Sequence, residues 1–194
     1  MYNEKIDMVY LWCDGNDPEF KKRKNIYVNV DNKLSLEELS GEKRFFDNEE
    51  LRYSLRSLEK YASWINHIYI VSDRQCPKWL NLNNKKVTII DHSQIMPQAL
   101  IPCFNSNVIE YFIPFIPNLS EKFLYANDDM FFGQEVFAND FFKNEMPIVR
   151  VKILKKYRTI LEAEKVFQDY YPSDKAVLNA YEILLKRGEK NICV

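Results

Sequence analysis

Four short apolar runs, each followed by an aspartate, limit what this 194-residue chain can fold into. The runs are IDMVYLW (6–12), HIYIVS (67–72), KVTII (86–90) and KFLYA (122–126). Apolar runs of this length are typical of strands that are buried on both faces of a parallel sheet. The pattern therefore predicts the α/β class, with a mixed, mostly parallel sheet flanked by helices.

The acids that follow these runs are expected to gather at one edge of the sheet. Asp14, Asp73 and Asp91 follow the first three runs, and Asp128 and Asp129 follow the fourth. The carboxyl ends of parallel strands lie at the same edge of a sheet, which is where open α/β sheets bind their ligands. We therefore predict a single acidic rim.

A helix is predicted over residues 45–66, with Asp47 as N-cap and Glu50 at the capping-box position. Its buried stripe at helical spacing is Leu51, Leu55, Leu58, Ala62 and Ile65. Arg52 and Arg56, four residues apart, share a neighbouring face. A right-handed crossover would place the start of this helix near the strand ends, so that both guanidinium groups face the acidic rim.

Weaker patterns predict two further elements. A short helix follows FNSN, with Asn105 or Ser106 as its cap. Its inward face is predicted to hold Val108, Ile109, Phe112 and Ile113. Residues 18–44 are lysine-rich and lack a strong period, so they are predicted to form a loop with a short helix near 35–40.

Beyond residue 150 the pattern changes to two amphipathic helices, at about 157–170 and 173–187. This change predicts a core at 1–150 and a helical tail at 151–194.

The charge balance and the cysteines restrict the class of partner. Lysine and arginine number 27 against 28 aspartates and glutamates, so no net field attracts nucleic acid or an anionic membrane. Four cysteines without CxxC spacing predict reduced thiols rather than a zinc site. The chain start lacks a secretory signal pattern, and no segment approaches the ~20 apolar residues of a membrane span. We expect a cytoplasmic protein without a transmembrane segment, associated at most peripherally with the inner face of the membrane.

Asn127-Asp128-Asp129 is the strongest local candidate for a metal site, because apolar residues flank it on both sides. Adjacent carboxylates between such flanks are partly desolvated, which costs free energy unless a cation or hydrogen-bond donors compensate. Side chains alternate along an extended segment, so one aspartate would bind the metal directly and the other through water. Oxygen ligands favour Mg²⁺ or Mn²⁺ over Zn²⁺. An ordinary turn is the alternative.

The segment Asp14-Gly15-Asn16-Asp17-Pro18 is open to two interpretations. Asp-Gly and Asn-Asp-Pro are strong turn formers, and a plain turn is the favoured one from these residues alone. In the functional interpretation, Gly15 lets the backbone approach a ligand while Asp14 and Asp17 reach its sugar or a nucleophile.

The two arginines and His92 are equally ambiguous. For Arg52 and Arg56, surface pairs with Glu49 and Glu59 at i,i+3 spacing are the favoured interpretation from these residues alone, yet arginine forks also bind phosphate bidentately. His92 is consistent with a general base, and equally with a histidine that forms a hydrogen bond at the end of a strand. No GxGxxG, P-loop, GxSxG or HExxH motif occurs. Carboxylates, an expected metal and nearby arginines suit chemistry on a nucleotide diphosphate, where catalysis relies on positioning and charge neutralisation.

The segment IDMVYLWCDGNDPEF resembles the first conserved region of the Stealth proteins. The stretch from RFFDNEELRYSLRS to NDDMFFGQEVF resembles the second, so that the resemblance covers residues 6 to about 141. The family comprises bacterial capsular polysaccharide phosphotransferases and the animal lysosomal-enzyme N-acetylglucosamine-1-phosphotransferase.

The resemblance implies a GT-A-like nucleotide-sugar-binding architecture. It implies transfer of a hexose or hexosamine 1-phosphate from a nucleotide-diphosphate sugar, such as UDP-N-acetylglucosamine, with release of a nucleoside monophosphate. The acceptor would be a hydroxyl of a growing capsular or cell-surface polysaccharide. Mg²⁺ or Mn²⁺, held by the paired acids, would bridge the donor diphosphate.

The residues on the family's motif positions receive roles from the resemblance. The implied catalytic residues are Asp14, Asp17, Arg52 and Arg56, with Asp14 as the best available base. The implied substrate-binding residues are Gly15, Asn105, Ser106 and Asn127. The implied metal ligands are Asp128 and Asp129.

This chain departs from the family pattern in three places. Relatives commonly read TDGQ where it has Ser72-Asp73-Arg74-Gln75, and many bacterial members read FNSH where it has Asn107. The family's two further conserved regions are not found in residues 142–194. Two alternatives therefore stay open: a truncated or inactive member that binds a nucleotide sugar or a partner, and a metal-dependent glycosyltransferase that transfers the sugar alone. Apolar surface left where the absent regions dock would favour an oligomer.

Overall fold

The computed structural model describes residues 5–28 and 45–148. Its main sheet has four strands: β1 (Ile6–Leu11), β2 (Ile68–Ser72), β3 (Val87–Asp91) and β4 (Lys122–Asn127). The strand order is β3-β2-β1-β4, and every neighbouring pair is parallel. The predicted α/β class and all four predicted strands are confirmed, each strand end to within one residue.

The strands are aligned so that their carboxyl ends meet at one edge. Leu11, near the end of β1, pairs with Val71 of β2 and with Asn127, the last residue of β4. Ser72 pairs in turn with Asp91, the last residue of β3. The residues that follow the strands therefore share the edge at which the sequence predicts the site.

Helices and short elements surround this sheet. The α-helices are α1 (Pro18–Val28), α2 (Glu50–Tyr61), α3 (His92–Ile95) and α4 (Ser106–Tyr111). Short 3-10 turns lie at Gln98–Leu100, Ile113–Phe115 and Ala138–Asp140, and a small second sheet pairs β5 (Phe142–Lys143) with β6 (Met146–Pro147). Within the described residues, no helix is long and apolar enough to cross a bilayer.

Each face of the sheet is covered by its own apolar cluster. Met8 and Tyr10 of β1 pack with α2, whereas Val9 packs on the opposite face with α4. The predicted stripe of α2 and the turn after it is confirmed: Leu51, Leu58, Ala62 and Ile65 are buried, and Leu55 is partly buried against them. Burial on both faces explains why β1 carries consecutive apolar residues from Met8 to Leu11.

The start of α2 differs from the prediction. Its N-cap is Glu49 in the left-handed region, with φ of 63°, and no side chain caps the helix. The Asp47 carboxylate instead accepts the Glu49 N–H at 3.0 Å, and the Glu50 carboxylate accepts the Asn48 N–H at 2.6 Å. The prediction of Asp47 as N-cap is therefore wrong, because both acids are used in a turn that precedes the helix. The helix is also shorter than predicted and ends at Tyr61.

The loop predicted over 18–44 is wrong for 18–28, where α1 lies. Proline suits the first turn of a helix, and the Asp17 carboxylate accepts the Glu19 N–H at 3.0 Å. Among residues 18–26 of this helix, Phe20 is the one buried apolar side chain, so this part offered no apolar period to detect. The predicted helix near 35–40, the two helices of the tail and the division at 150 concern residues outside the described part.

The short helix after FNSN is confirmed as α4, with Asn105 as its cap. The Asn105 side chain accepts the Asn107 N–H at 3.0 Å. Ile109 and Ile113 are buried, and Val108 and Phe112 pack against the same cluster as half-buried residues.

Candidate active site

The segment after β1 forms a turn at the carboxyl edge. The Asp14 carboxylate accepts the Asn16 N–H at 2.8 Å, and the Asp14 carbonyl accepts the Asp17 N–H at 3.2 Å. The turn interpretation of this motif is therefore correct, although a turn at this edge also presents its acids to the site. Asp14 and Asp17 both keep part of their surface accessible.

A close backbone contact within the chain leaves no room for a side chain at Gly15. Its N–H donates to the Phe45 carbonyl at 2.6 Å, and a Cβ at this position would lie 2.1 Å from the same oxygen. Any side chain here would overlap the backbone before α2. The close approach that Gly15 permits in this structure is thus to Phe45.

The Asn127-Asp128-Asp129 motif turns immediately after β4. The Met130 N–H donates to the Asn127 carbonyl at 3.2 Å, and the Asn127 side chain accepts the Tyr125 hydroxyl at 2.9 Å. Asp128 is half-buried and Asp129 is exposed. The two adjacent carboxylates therefore differ in exposure, although they lie in a turn rather than in the extended segment to which the alternation argument applies.

Asp128 lies in a strongly acidic environment. Burial, followed by the negative charges of Asp129, Glu50 and Asp47, raises the pKa of Asp128 to about 6. Neighbouring negative charges and desolvation both disfavour the ionised carboxylate. A cation bound beside Asp128 would relieve both effects.

Cys13, which follows β1, lies in the same acidic surroundings as Asp128. Burial first, and then the charges of Asp128, Asp47 and Asp14, raise the pKa of Cys13 to about 12. The charge of Lys24 acts against this shift. Cys13 is therefore an unreactive thiol that lies among the acids of three separate segments.

The acids around Asp128 and Cys13 form what we call the acidic cluster. Its members are Asp14, Asp47, Glu50, Asp128 and Asp129. Asp14, Asp128 and Asp129 were predicted site residues, whereas Asp47 and Glu50 had been assigned only as helix caps. The same crossover geometry that brings the start of α2 to the strand ends would have placed both of them at the rim.

Trp12, at the end of β1, adds a buried donor beside this cluster. Its indole N–H has no hydrogen bond of normal geometry within the described residues. It nevertheless lies near enough to Asp47 to lower the pKa of that carboxyl, although burial outweighs this effect and the net shift is upward. A buried donor without a full partner is a ready contact for a ligand oxygen or a water.

Two serines of α2 hold the segment that follows the paired acids. Ser54 Oγ donates to the Met130 carbonyl at 2.5 Å and lies 3.0 Å from the Tyr10 hydroxyl. Ser57 Oγ accepts the Phe132 N–H at 3.0 Å. These contacts fix the chain directly after Asp129 to the helix that also carries Glu50.

Replacing Ser54 by alanine is expected to lower the free energy of unfolding by roughly 1–2 kcal/mol, because a buried hydroxyl and two hydrogen bonds are lost. Urea unfolding would measure the change. The matched control is Ser63→Ala, since Ser63 is an exposed serine just beyond the same helix. Equal effects of the two substitutions would show that Ser54 does not anchor the turn.

Arg52 and Arg56 do not contact the acidic cluster through any ion pair or hydrogen bond of the described residues. Arg52 pairs with Glu49 at 2.7 Å on the surface, as the surface interpretation predicts. Arg56 is exposed and lies over the Tyr53 ring at 5.7 Å. The expectation that both face the rim is therefore not met in this conformation.

Asn105 and Ser106 are exposed at the start of α4. The neighbouring Phe104 packs edge-on against Phe20 of α1 at 5.5 Å, and Phe20 also packs against Phe45 at 5.6 Å. This aromatic trio brings the FNS motif next to the helix that follows the Asp14 turn.

Two of the strand-end acids are engaged by structural partners within the protein. Asp73 is buried and accepts Arg23 Nε at 3.0 Å. Asp91 caps α3 through the Ser93 N–H at 2.9 Å and accepts the Arg74 N–H at 2.7 Å. His92 is buried, and burial lowers its pKa, which disfavours a charged imidazole at that strand end. Asp73 and Asp91 thus have structural roles, whereas the acids that follow the other two strands belong to the acidic cluster.

The carboxylates of the candidate site suit a cation that is bound partly by the protein and partly by a substrate. Among residues 5–28 and 45–148, no group of three or more His, Cys, Asp and Glu side chains is arranged to enclose a metal. Mg²⁺ is usually bound by one or two carboxylates together with substrate phosphates rather than by a protein cage. The half-buried Asp128 and its neighbour Asp129 match that mode of binding.

A parallel sheet with an acidic cluster at its carboxyl edge defines an α/β protein whose site lies where such sheets bind ligands. The family model described as Stealth protein conserved region 1 matches residues 4–29, and the one described as Stealth protein conserved region 2 matches residues 44–149. The chain belongs to the Stealth family. The resemblance noted for residues 6 to about 141 is thereby confirmed.

Curated relatives share this region. An exopolysaccharide phosphotransferase of Lactiplantibacillus plantarum is 43% identical over 140 residues, which cover 72% of this chain and 40% of the relative. One of Streptomyces coelicolor is 46% identical, covering 71% of this chain and 23% of the relative. A capsular polysaccharide phosphotransferase of Streptococcus thermophilus is 39% identical, covering 89% and 70%. The chain thus spans less than half the length of the first two relatives.

Proposed function

We propose that this chain provides the donor-binding half of a capsular or exopolysaccharide phosphotransferase. The observation that supports it is the acidic cluster at the strand edge, in which the pKa of Asp128 is raised to about 6 by burial and by neighbouring acids. A site of this kind favours binding of a cation together with an anionic ligand. The reaction class is taken from the relatives, which are named exopolysaccharide or capsular polysaccharide phosphotransferases.

In the proposed reaction, a hydroxyl oxygen of the glycan acceptor attacks the phosphorus that bears the sugar. The bond from that phosphorus to the bridging oxygen of the diphosphate breaks, and a nucleoside monophosphate leaves. Asp14 accepts the proton of the attacking hydroxyl, because it is an accessible acid at the strand edge. Asp17 and Asn127 orient the donor, and Asn105 and Ser106 contribute polar groups from the start of α4.

Asp128 and Asp129 would hold Mg²⁺ or Mn²⁺, which when bound supplies positive charge against the diphosphate and the departing monophosphate. Arg52 and Arg56 would add charge to the leaving group after turning from their present surface contacts. The ion pair of Arg52 with Glu49 is exposed, so exchanging it for a phosphate costs little.

A second candidate is a binding module that holds the donor without turnover. The observation that favours it is that Arg52 and Arg56, the expected sources of positive charge, contact Glu49 and the Tyr53 ring rather than the acidic cluster. A third candidate, sugar transfer by a GT-A-like glycosyltransferase, differs from the first in its product. Release of a nucleoside monophosphate supports phosphotransfer, release of the diphosphate supports sugar transfer, and binding without either product supports the module.

Titration calorimetry with UDP-N-acetylglucosamine, with and without Mg²⁺, tests the donor site. We expect metal-dependent binding that weakens about tenfold per pH unit below pH 6, because the Asp128 carboxyl becomes protonated there and competes with the cation. The double substitution Asp128→Ala and Asp129→Ala should abolish the metal-dependent part. Other nucleotide-diphosphate sugars would follow in the same assay.

The matched control removes two exposed acids that lie outside the cluster, Glu121→Ala and Glu135→Ala together. This control changes the net charge equally and should leave binding intact. Metal-dependent binding that survives in the Asp128 and Asp129 double variant would contradict the proposed site.

A further inference from the structure

Gln75, which follows β2, contacts the Asp14 turn through three hydrogen bonds. Its Oε1 accepts the Asp14 N–H at 3.0 Å, across 61 positions of sequence. Its Nε2 donates to the Asp14 carbonyl at 2.9 Å and to the Asp17 carboxylate at 2.9 Å. The side chain is buried, with 7% of its surface exposed. One carboxamide therefore holds the backbone of one predicted catalytic acid and the side chain of the other.

The segment that carries Gln75 is itself fixed by its neighbours. Asp73 accepts Arg23 Nε of α1 at 3.0 Å, and its carbonyl accepts Arg23 Nη2 at 3.0 Å. Arg74 lies in the left-handed region, with φ of 57°, and its N–H donates to Asp91 at 2.7 Å. Glycine favours this conformation, which explains in backbone terms why relatives commonly read TDGQ here. The backbone directly before Gln75 is thus held by hydrogen bonds to two other segments.

We infer that Gln75 is a positioning residue that sets the placement of Asp14 and Asp17 at the donor site. This inference rests on the proposed function for the roles of the two acids. Glutamine suits the position chemically because its carboxamide offers one acceptor and two donor hydrogens, and all three are used. The hydrogen bond from Gln75 is also the largest of the causes that lower the pKa of Asp17.

Alternative side chains cannot reproduce this pattern. Asparagine is one methylene shorter, and leucine has no polar atoms. Glutamate keeps an acceptor for the Asp14 N–H, but it places a carboxylate oxygen against the Asp14 carbonyl and the Asp17 carboxylate. The isosteric Gln75→Glu change therefore removes two of the three contacts with almost no change in volume, which makes it the sharpest test.

The experiment compares Gln75→Glu and Gln75→Leu with the wild type and with Gln94→Leu as matched control. Gln94 is an exposed glutamine of α3, where its side chain accepts the Asp91 N–H at 2.7 Å. Hydrogen exchange of the Asp14 amide and the NMR titration of the Asp17 carboxyl report on positioning without any need for turnover. Transfer from UDP-N-acetylglucosamine in the presence of Mg²⁺ reports on catalysis.

Gln75→Leu is expected to lose protection of the Asp14 amide by at least tenfold, whereas Gln75→Glu keeps the acceptor for that amide. Both variants should raise the pKa of Asp17, because each removes the hydrogen bond from Nε2. The control should change neither quantity. Where transfer is measurable, kcat should fall roughly a hundredfold, because misplacement of reacting groups by about 1 Å costs that much. If Gln75→Leu does not fold, the results for Gln75→Glu alone test whether Gln75 positions the two acids.

Unchanged Asp14 protection and an unchanged Asp17 titration in the Gln75 variants would overturn the inference. A kcat within twofold of the wild type would also overturn it, even if exchange increased. Failure of the wild type to bind or turn over any donor would count against the proposed function, yet the exchange and titration results would still decide whether Gln75 positions the two acids.

Discussion

Replacing Asp128 by asparagine is expected to reduce transfer by about a thousandfold and, at pH 8, to raise the free energy of unfolding by roughly 1 kcal/mol. The loss follows from removing the half-buried carboxylate of the proposed metal pair. The gain follows because the folded state disfavours ionised Asp128, whose pKa is raised from 3.8 to about 6. An amide of the same shape escapes that penalty, so stability and activity should change in opposite directions.

The stability gain should depend on pH in a defined direction. Above pH 6 wild-type Asp128 is ionised in the folded protein and the full penalty is present. As the pH falls from 6 toward 3.8, the folded state takes up its proton before the unfolded state does, so the advantage of the asparagine variant shrinks. Below about pH 4 both states are protonated and the advantage is gone.

Urea unfolding at pH 8, 6 and 4, with transfer measured at pH 8, checks both halves of this prediction. Glu135→Gln is the matched control, because Glu135 is exposed a few residues beyond the same turn and lies outside the acidic cluster. It should change neither quantity. A variant at Asp128 that is less stable than the wild type at pH 8 would show that the carboxylate is compensated in the folded protein, and the metal assignment would lose its support.

The sequence alone predicted the sheet because its signal is local. Each of the four strands consists mostly of apolar residues, and parallel strands bring their carboxyl ends together wherever they pair. The acids after those runs were correctly placed at one edge. Which of them serve the site was not predictable, because Asp73 and Asp91 are occupied by partners that lie elsewhere in the chain or in the next short helix.

The parts that sequence reasoning missed depend on contacts between distant segments. Gln75 lies 61 residues from the turn that it holds, and nothing local marks it as more than a polar loop residue. Asp47 and Glu50 were assigned to a cap because their spacing matches a capping box, whereas the fold uses them in a preceding turn and brings them beside Asp128. Helix α1 was missed because the described contacts of residues 18–26 include an ion pair of Arg23 and one buried aromatic side chain, Phe20, rather than an apolar stripe.

Replacing Arg23 by methionine is expected to lower the free energy of unfolding by about 3 kcal/mol. Asp73 is 3% exposed and receives two of its contacts from Arg23, one to the carboxylate and one to the carbonyl. Without Arg23, the nearest cation is Arg74 Nε at 3.9 Å, on a side chain that is 60% exposed. A buried carboxylate that loses its main partner keeps its desolvation cost without the compensating attraction.

A double-mutant cycle separates this effect from the loss of packing on α1. Arg23→Met combined with Asp73→Asn removes both charges, so it should recover more than half of the stability lost in Arg23→Met alone. The control Arg52→Met removes an exposed ion pair with Glu49 and should cost less than about 0.5 kcal/mol. If the double variant is no more stable than Arg23→Met, the ion pair does not attach α1 to the Gln75 segment, and the apolar contacts of Phe20 must hold that helix instead.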